Sequence, residues 1–411
     1  MRISLSQLGE GVRIALDAMR TNKLRTVLTT LGIFIGVIVV TVIISVIQGL
    51  NAYVSGEISG LGADVVYVSR MPWLIQTYEE YLKYVKNRKI TEIQYHALEK
   101  QVTLAEAMVP SLHTRRNLKV GNETLERATV TGTNENYTLV ENVAPQRGRF
   151  MTDIEVSNNR NVCVVGSEVA DKLFNDKDPI GKRIKVGNFS FLILGVLEKR
   201  GQMFGEDLDN CVVVPYTVFM KDFGFRRSIE IQIKAKDPKQ VDAMIDQING
   251  AMRRIRGLKA SQENDFAINQ ASQLMDFYRN MTRVLFIVLI GIGSIALLVG
   301  GIGIMNILLV SVTERTHEIG IRKALGAKRN IILWQFLVEA VFISALGVGL
   351  GLVVSVLIAL LIRSTSPIPV NISTWVLFLG VGFTLSIGLF FGLYPASKAS
   401  RLDPIEALRY E

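Results

Sequence analysis

The chain has 411 residues, a formal net charge of +9, and 49% hydrophobic residues. That is more apolar than a soluble protein of this size usually is, and the apolar residues sit in a few long runs, which points away from an ordinary soluble enzyme. The positive charge comes with no arginine-rich arm and no basic–aromatic interleaving, so no nucleic-acid partner is expected.

From the N-terminus, Leu5, Leu8, Val12, Ala15, Leu16 and Met19 keep helical spacing, with Arg13 and Arg20 off that face. Residues 1–26 therefore read as an amphipathic helix lying on lipid at the inner membrane surface. No Asp, Glu, Lys or Arg occurs in Thr26–Gly56, Val284–Thr313, Ala340–Ile362 or Ser364–Ser397. About 20 apolar residues cross the hydrocarbon core, and only a helix satisfies its backbone there. One span each is placed near Val27–Ile47, Val284–Val312, Phe336–Ile362 and Trp375–Tyr394. The first follows a long polar lead and no Ala-x-Ala site follows it, so it reads as a retained helix, not a cleaved signal. The chain then divides into transmembrane helices 27–47, 284–313, 331–362 and 375–394, an outer domain with stalk at 48–283, a cytoplasmic helix at 314–330, an external loop at 363–374 and a cytoplasmic tail at 395–411. Arg2, Arg13, Arg20, Lys23 and Arg25, then Arg315, Arg322, Lys323, Lys328 and Arg329, then Lys398, Arg401 and Arg409 put both termini and the second connection in the cytoplasm.

The long segment between the first two spans mixes strand and helix patterns. Val65–Ser69, Arg127–Thr131, Arg160–Val165, Arg183–Val186, Ser190–Val196 and Ile229–Lys234 read as strands, with a turn at Gly187–Asn188. Thr91 caps a helix running to about Gln101, and Glu168–Phe174 and Pro238–Arg254 are further helices. The expected class is an α-helical membrane protein with four transmembrane helices and a large α+β extracytoplasmic domain of two lobes, one inserted at about 150–225. Cys163 and Cys211 both fall there, in strand-like runs, as buried thiols or as one bridge.

The first charge-free window is 31 residues, or about 46 Å of helix against about 30 Å of hydrocarbon. Leu274, Phe277, Met281 and Leu285 continue a helical period ahead of the second span, so the first two spans are expected to project as a paired stalk. Small residues recur four apart at Gly32/Gly36, Ala296/Gly300, Gly347/Gly351 and Gly388/Gly392, which suits close helix packing in lipid.

Catalytic patterns are missing. Gly181-Lys182 lacks the rest of a phosphate-binding loop, and there is no Gly-x-Ser-x-Gly elbow or His-Glu-x-x-His pair. His96, His113 and His317 are scattered, so no metal site and no bound cofactor are expected, and the chain reads as a non-catalytic subunit that does not hydrolyse ATP by itself. Glu339 lies near the cytoplasmic start of the third span, and a pairing role suits it better than a proton relay.

The connection Glu314–Arg329 interleaves charged and apolar residues, with Thr316–Leu325 able to form a helix stopped at Gly326. Here the chain resembles the MacB/FtsX-type permease subunits of ABC transporters. The likeness is carried by Asn22–Gly32; by Arg147–Phe150, Val164–Gly166 and Asp178–Lys182; by Gly301–Ala327 with Gln335–Ala340; and by Gly392–Ala396 with Asp403–Arg409. These stretches run in the family's order over nearly the whole chain and are closer to the MacB-type efflux permeases than to the shorter cell-division type.

The resemblance implies an ABC ATPase partner in two copies, carrying ATP and Mg, and a homodimer of permeases. Docking would use Glu314, Arg315, Glu318, Ile319, Arg322, Lys323, Leu325 and Gly326, and helix packing Gly32, Gly36, Gly300, Gly347 and Gly351. It also implies a porter-like outer lobe, a membrane-fusion adaptor in many members, and mechanotransmission that drives efflux of peptides, antibiotics or other amphiphiles. Lipoprotein extraction and signalling to an external cell-wall hydrolase are the alternatives. Two departures stand out: His317 where the family usually has Arg, and an apparent insertion at Trp73–Lys89 with Tyr78, Tyr81 and Tyr84 near Lys83, Lys86 and Arg88.

Overall fold

Runs without charge become long helices. The computed structural model describes residues 23–59, 62–175, 177–203, 205–224, 227–366, 370 and 374–409, so nearly all of the amphipathic helix expected over 1–26 lies outside the described residues. Helix α1 covers Lys23–Ser59, and four helices are long and apolar enough to cross a membrane. The chain divides into two units, residues 55–278 and the remainder.

The 55–278 unit contains β1 (Val65–Ser69), α2 (Tyr78–Val85), α3 (Glu92–Glu99), β2 (Ala105–Val120), β3 (Glu123–Thr133), α4 (Tyr137–Val140), β4 (Pro145–Gly148), α5 (Asp153–Ser157), β5 (Val162–Val165), α6 (Ser167–Phe174), β6 (Arg183–Val186), β7 (Phe189–Leu197), β8 (Gln202–Met203), β9 (Glu206–Asp207), β10 (Cys211–Pro215), α7 (Tyr216–Phe223), β11 (Glu230–Ala235), α8 (Val241–Ile255) and β12 (Ala267–Gln270). The main sheet has the order β12-β1-β11-β2-β3-β10-β5-β7-β4, with β6 beside β2 and β7. Its strands are rich in Val and Ile, whose branched side chains suit a pleated surface. Val162, Cys163, Val164 and Val165 are all buried in β5, as are Val212, Val213 and Val214 in β10. Each such valine contributes about 1.5–3 kcal/mol by leaving water.

The expected strands and helices shift by a residue or two at most ends. The helix begun at Thr91 has that residue as its cap, with Gln94 closing a reciprocal capping box. The long strand β2 was not anticipated. Its first half pairs with β11 and its second half with β3, with an irregularity between Arg116 and Leu118. The stretch 150–225 is accordingly not closed on itself: β10 runs parallel to β3 and β6 pairs with β2, both from outside it. Cys163 and Cys211 are free thiols, and burial raises the pKa of both.

The segment proposed as an insertion is tied to the sheet. The Trp73 ring lies 4.7 Å from that of Tyr67, and its backbone N–H donates to Asn269 Oδ1 at 3.0 Å. Arg70 Nε donates to the Asn87 carbonyl at 2.7 Å, and the Asn87 amide donates back to Arg70 at 2.9 Å. Between them α2 buries none of its residues.

Next come α9 (Ala271–Glu314), which enters the other unit at Arg279, and within that unit α10 (Thr316–Ala324), α11 (Arg329–Thr365), α12 (Thr374–Arg401) and α13 (Pro404–Arg409). The α1 helix has 37 residues and α9 has 44, or about 55 and 66 Å at 1.5 Å per residue. Every span outruns its expected ends, because a helix continues where hydropathy no longer marks it. The fourth passes through Pro395 to Arg401, a proline that membrane helices tolerate.

Glycines set the packing of this unit. A Cβ on Gly36 would meet the Leu297 side chain at 2.6 Å, and one on Gly300 would meet the Ile33 nitrogen at 2.8 Å. A Cβ on Gly347 would lie 2.9 Å from the Ile33 side chain and one on Gly351 3.0 Å from that of Val37, so both glycines pack closely. Gly32, Gly36 and Gly300 thus lie between α1 and α9, and Gly347 and Gly351 between α11 and α1. Ile33, Val37, Leu297, Ile304, Leu308, Phe336, Ala340 and Ile343 fill the common core.

Candidate functional site

The chain turns sharply after Glu314. Arg315 has φ −106° and ψ 15°, which interrupts the helix between α9 and α10. Thr316 is buried and its hydroxyl donates to the carbonyls of Val312 and Thr313 at 2.9 Å, joining the two helices at the corner. At the far end Gly326 adopts φ 93°, its N–H donates to Lys323 and that of Ala327 to Arg322, both at 3.0 Å. This is the paired Schellman arrangement, and glycine allows it. Glu318 sits in the first turn and Arg322 and Lys323 in the last, each complementing the helix dipole.

The residues expected to dock a partner divide into two sets. Ile319 is buried in the core. Arg315 places Nη1 3.8 Å from Oε2 of Glu339, a carboxylate only 1% exposed in α11. Arg322 donates to Gln335 Oε1 at 2.7 Å, and Lys323 donates to the Leu402 carbonyl. These four hold α10 against its own unit. Glu314, Glu318, Leu325 and Gly326 are exposed.

Two residues outside the expected set complete the outward face: His317, and Ile321 at 42% exposure beside Leu325 at 84%. Positions 317, 318 and 321 of α10 and 325 at its C-cap follow one helical stripe, a spacing visible in the sequence, with Glu314 at the corner before it. The C-terminal helix was missed as well. Gly320 packs so closely on α13 that a Cβ there would lie 2.8 Å from Ala407 Cβ, and Ile405 and Leu408 of α13 are exposed. Arg315, Ile319, Arg322, Ile332, Gln335 and Phe336 line a mixed polar and apolar cavity of about 280 Å³ next to Glu318. Among the described residues no group of His, Cys, Asp and Glu is arranged to hold a metal.

This geometry sits within a chain whose residues 26–251 match the MacB-like periplasmic core domain and whose residues 290–404 match the FtsX-like permease C-terminal domain. The chain belongs to the MacB/FtsX-type permease family. Such a permease is a multi-pass membrane protein of the bacterial plasma membrane, with its large α+β domain outside the cytoplasm. The ABC transporter permease YknZ of Bacillus subtilis is 33% identical over 413 residues, 98% of this chain and 99% of that one. The macrolide export ATP-binding/permease protein MacB of Bdellovibrio bacteriovorus is 33% identical over 401 residues, 96% of this chain. The chain spans 61% of that protein's length and 60% of the length of MacB from Azoarcus. Among solved structures, the periplasmic region of MacB from Actinobacillus actinomycetemcomitans is similar with a TM-score of 0.45 and 19% identity, covering 54% of this chain and 96% of that one. The extracellular domain of YknZ is similar with a TM-score of 0.41 and 20% identity, covering 50% and 98%.

Proposed function

We propose that this permease is the membrane subunit of an ABC-type export system that works by mechanotransmission. Two copies of the chain pair, and each recruits one ATPase subunit, which binds ATP and Mg. Closure of the ATPase pair displaces α10, and α1 and α9 carry the displacement to the outer domain, which expels peptides, antibiotics or other amphiphiles, in concert with a membrane-fusion adaptor. The observation that carries this reading is the two-sidedness of α10. Arg315, Ile319, Arg322 and Lys323 lock it to its own unit, while His317, Glu318, Ile321 and Leu325 face outward. A helix held that firmly transmits force, and one with exposed Ile and Leu at i and i+4 offers an apolar ridge to a partner groove. The lengths of α1 and α9 support the second half of the mechanism, since each exceeds the hydrocarbon thickness.

Co-expression with an ABC ATPase of the same genome tests it. Wild type is expected to retain the ATPase through purification in mild detergent, and Ile321→Asp/Leu325→Asp to lose it while keeping the wild-type melting temperature. Equal retention by both proteins means that α10 is not the docking element.

A further inference from the structure

The α1 and α9 helices touch at their glycines, and farther along the Ser55 hydroxyl of α1 lies 4.0 Å from Met275 Sδ of α9. Gly32, Gly36, Gly293 and Gly300 bring the two helices together at one end. Toward the residues that lead into the 55–278 unit, Ile44, Ile47, Gln48 and Asn51 of α1 follow one another at i, i+3, i+4 and i+7. On α9 the same spacing gives Arg279, Thr282, Arg283 and Phe286. These two stripes and Trp375, near the start of α12, line a cavity of about 460 Å³. That volume lies in the range of small-molecule sites.

The lining is sorted by chemistry. Ile44, Ile47 and Phe286 lie on the side nearer the span, and Gln48, Asn51, Arg279 and Arg283 beyond them. Two guanidinium groups one helical turn apart match a phosphate, which arginine binds in bidentate fashion. Arg283 makes no ion pair or hydrogen bond among the described residues, although it stands beside a charge-free run of 30 residues, 284–313. Trp375 is 67% exposed, and tryptophan favours the headgroup level of a bilayer. At this end of the helices the chain leads into residues 55–278, the segment matched to a periplasmic core domain, which assigns the cavity to the outer leaflet.

We propose that this cavity binds a phosphate-bearing anionic amphiphile from the outer leaflet, with the phosphate between Arg279 and Arg283 and a chain along Ile44, Ile47 and Phe286. The site needs no ATPase and stands apart from the docking surface on α10, so the two assignments fail independently.

The test uses the full chain in nanodiscs, with Trp73→Phe and Trp334→Phe leaving Trp375 as the one fluorophore. Phosphatidylglycerol with brominated chains, as a dilute component of phosphatidylcholine, is compared with equally dilute brominated phosphatidylcholine. Excess quenching by the anionic lipid is expected at about fivefold local enrichment, which corresponds to 1 kcal/mol of headgroup attraction. Arg279→Gln/Arg283→Gln is expected to abolish the excess and Arg279→Lys/Arg283→Lys to keep most of it, both with an unchanged thermal transition. Equal quenching by the two lipids, or an excess that survives the glutamines, overturns the proposal. So does displacement of the brominated lipid by millimolar inorganic phosphate, which would make the site one for a free anion.

Discussion

A Cβ placed on Gly32 would lie 2.9 Å from the Cα of Gly300, so α1 and α9 cross at a point where neither helix has room for a side chain. Membrane helices gain their attraction from such close approach, since lipid is as apolar as leucine. Gly32→Ala and Gly300→Ala are each expected to cost about 1–3 kcal/mol, the usual range for overpacking. Gly349→Ala and Gly382→Ala meet nothing within 4 Å and serve as matched controls. Those two should be neutral or slightly stabilising, because alanine is the better helix former. Thermal unfolding of the full chain in detergent checks the contrast, and equal melting temperatures for all four would show that the crossing carries no strain.

The Arg315–Glu339 pair makes a second prediction. A buried charge that loses its partner costs about 3–5 kcal/mol, whereas an apolar pair of similar volume is often tolerated. Arg315→Met and Glu339→Met should each destabilise the protein more than the double variant does. A double-mutant cycle in detergent measures this. Additive effects would mean that the two charges do not sense one another.

Glu230 predicts a pH dependence in the outer domain. Burial pushes its carboxyl up to about 7, against a hydrogen bond from Trp73 that lowers it and the Glu141 charge that raises it further. The folded state therefore holds this proton more tightly than the unfolded chain does. Stability from this group is intact below the unfolded carboxylate range, falls as pH rises toward 7, and is level above it. Glu230→Gln should match wild type near pH 4 and exceed it by up to about 3 kcal/mol at pH 8. Melting curves across that interval check the sign, and a constant offset would rule out titration of Glu230.

Arg256 makes a stability prediction at the insertion. It is buried, with Nη1 2.8 Å from Oδ1 of Asp265 and Nη2 donating to the carbonyls of Arg88 and Lys89. Burial alone would raise the Asp265 carboxyl, but Arg256 and Arg88 hold it below its ordinary value. Arg256→Ala should cost about 3–5 kcal/mol, and Arg256→Lys should recover little, because an ammonium cannot reproduce the planar fork. Proteolysis of the 73–89 segment offers a local readout: faster cleavage in both variants is expected, and wild-type cleavage would sink the idea.

The spans were legible because lipid imposes one rule on them, that no charge goes unanswered inside the hydrocarbon. The run of the first two helices past Ile47 and before Val284 was legible as well, from the 31-residue charge-free window and the period of Leu274, Phe277 and Met281, whereas the end of the fourth was not, because it continues through Pro395 among polar residues that hydropathy treats as tail. The strand β2 was hidden by Pro110 and by Arg115-Arg116, which read as breaks although the backbone continues through them. At the candidate site the helix and its Gly326 stop were plain from local chemistry. The inward turn of Arg315, Arg322 and Lys323 was not, because their partners Glu339, Gln335 and Leu402 are brought there by the fold of α11 and the chain after α12.

The double allegiance of β2 also bears on how this protein can be taken apart. Its 16 residues give their first half to the strands nearest the chain ends of the outer unit and their second half to the Val-rich strands β3, β10 and β5. Exchange between relatives at residues 150 and 225 would separate β10 from β3 and leave the second half of β2 without β6. The smallest heritable part of the outer domain is therefore the whole of it, and recombination among these permeases has its natural seams in α1 and α9.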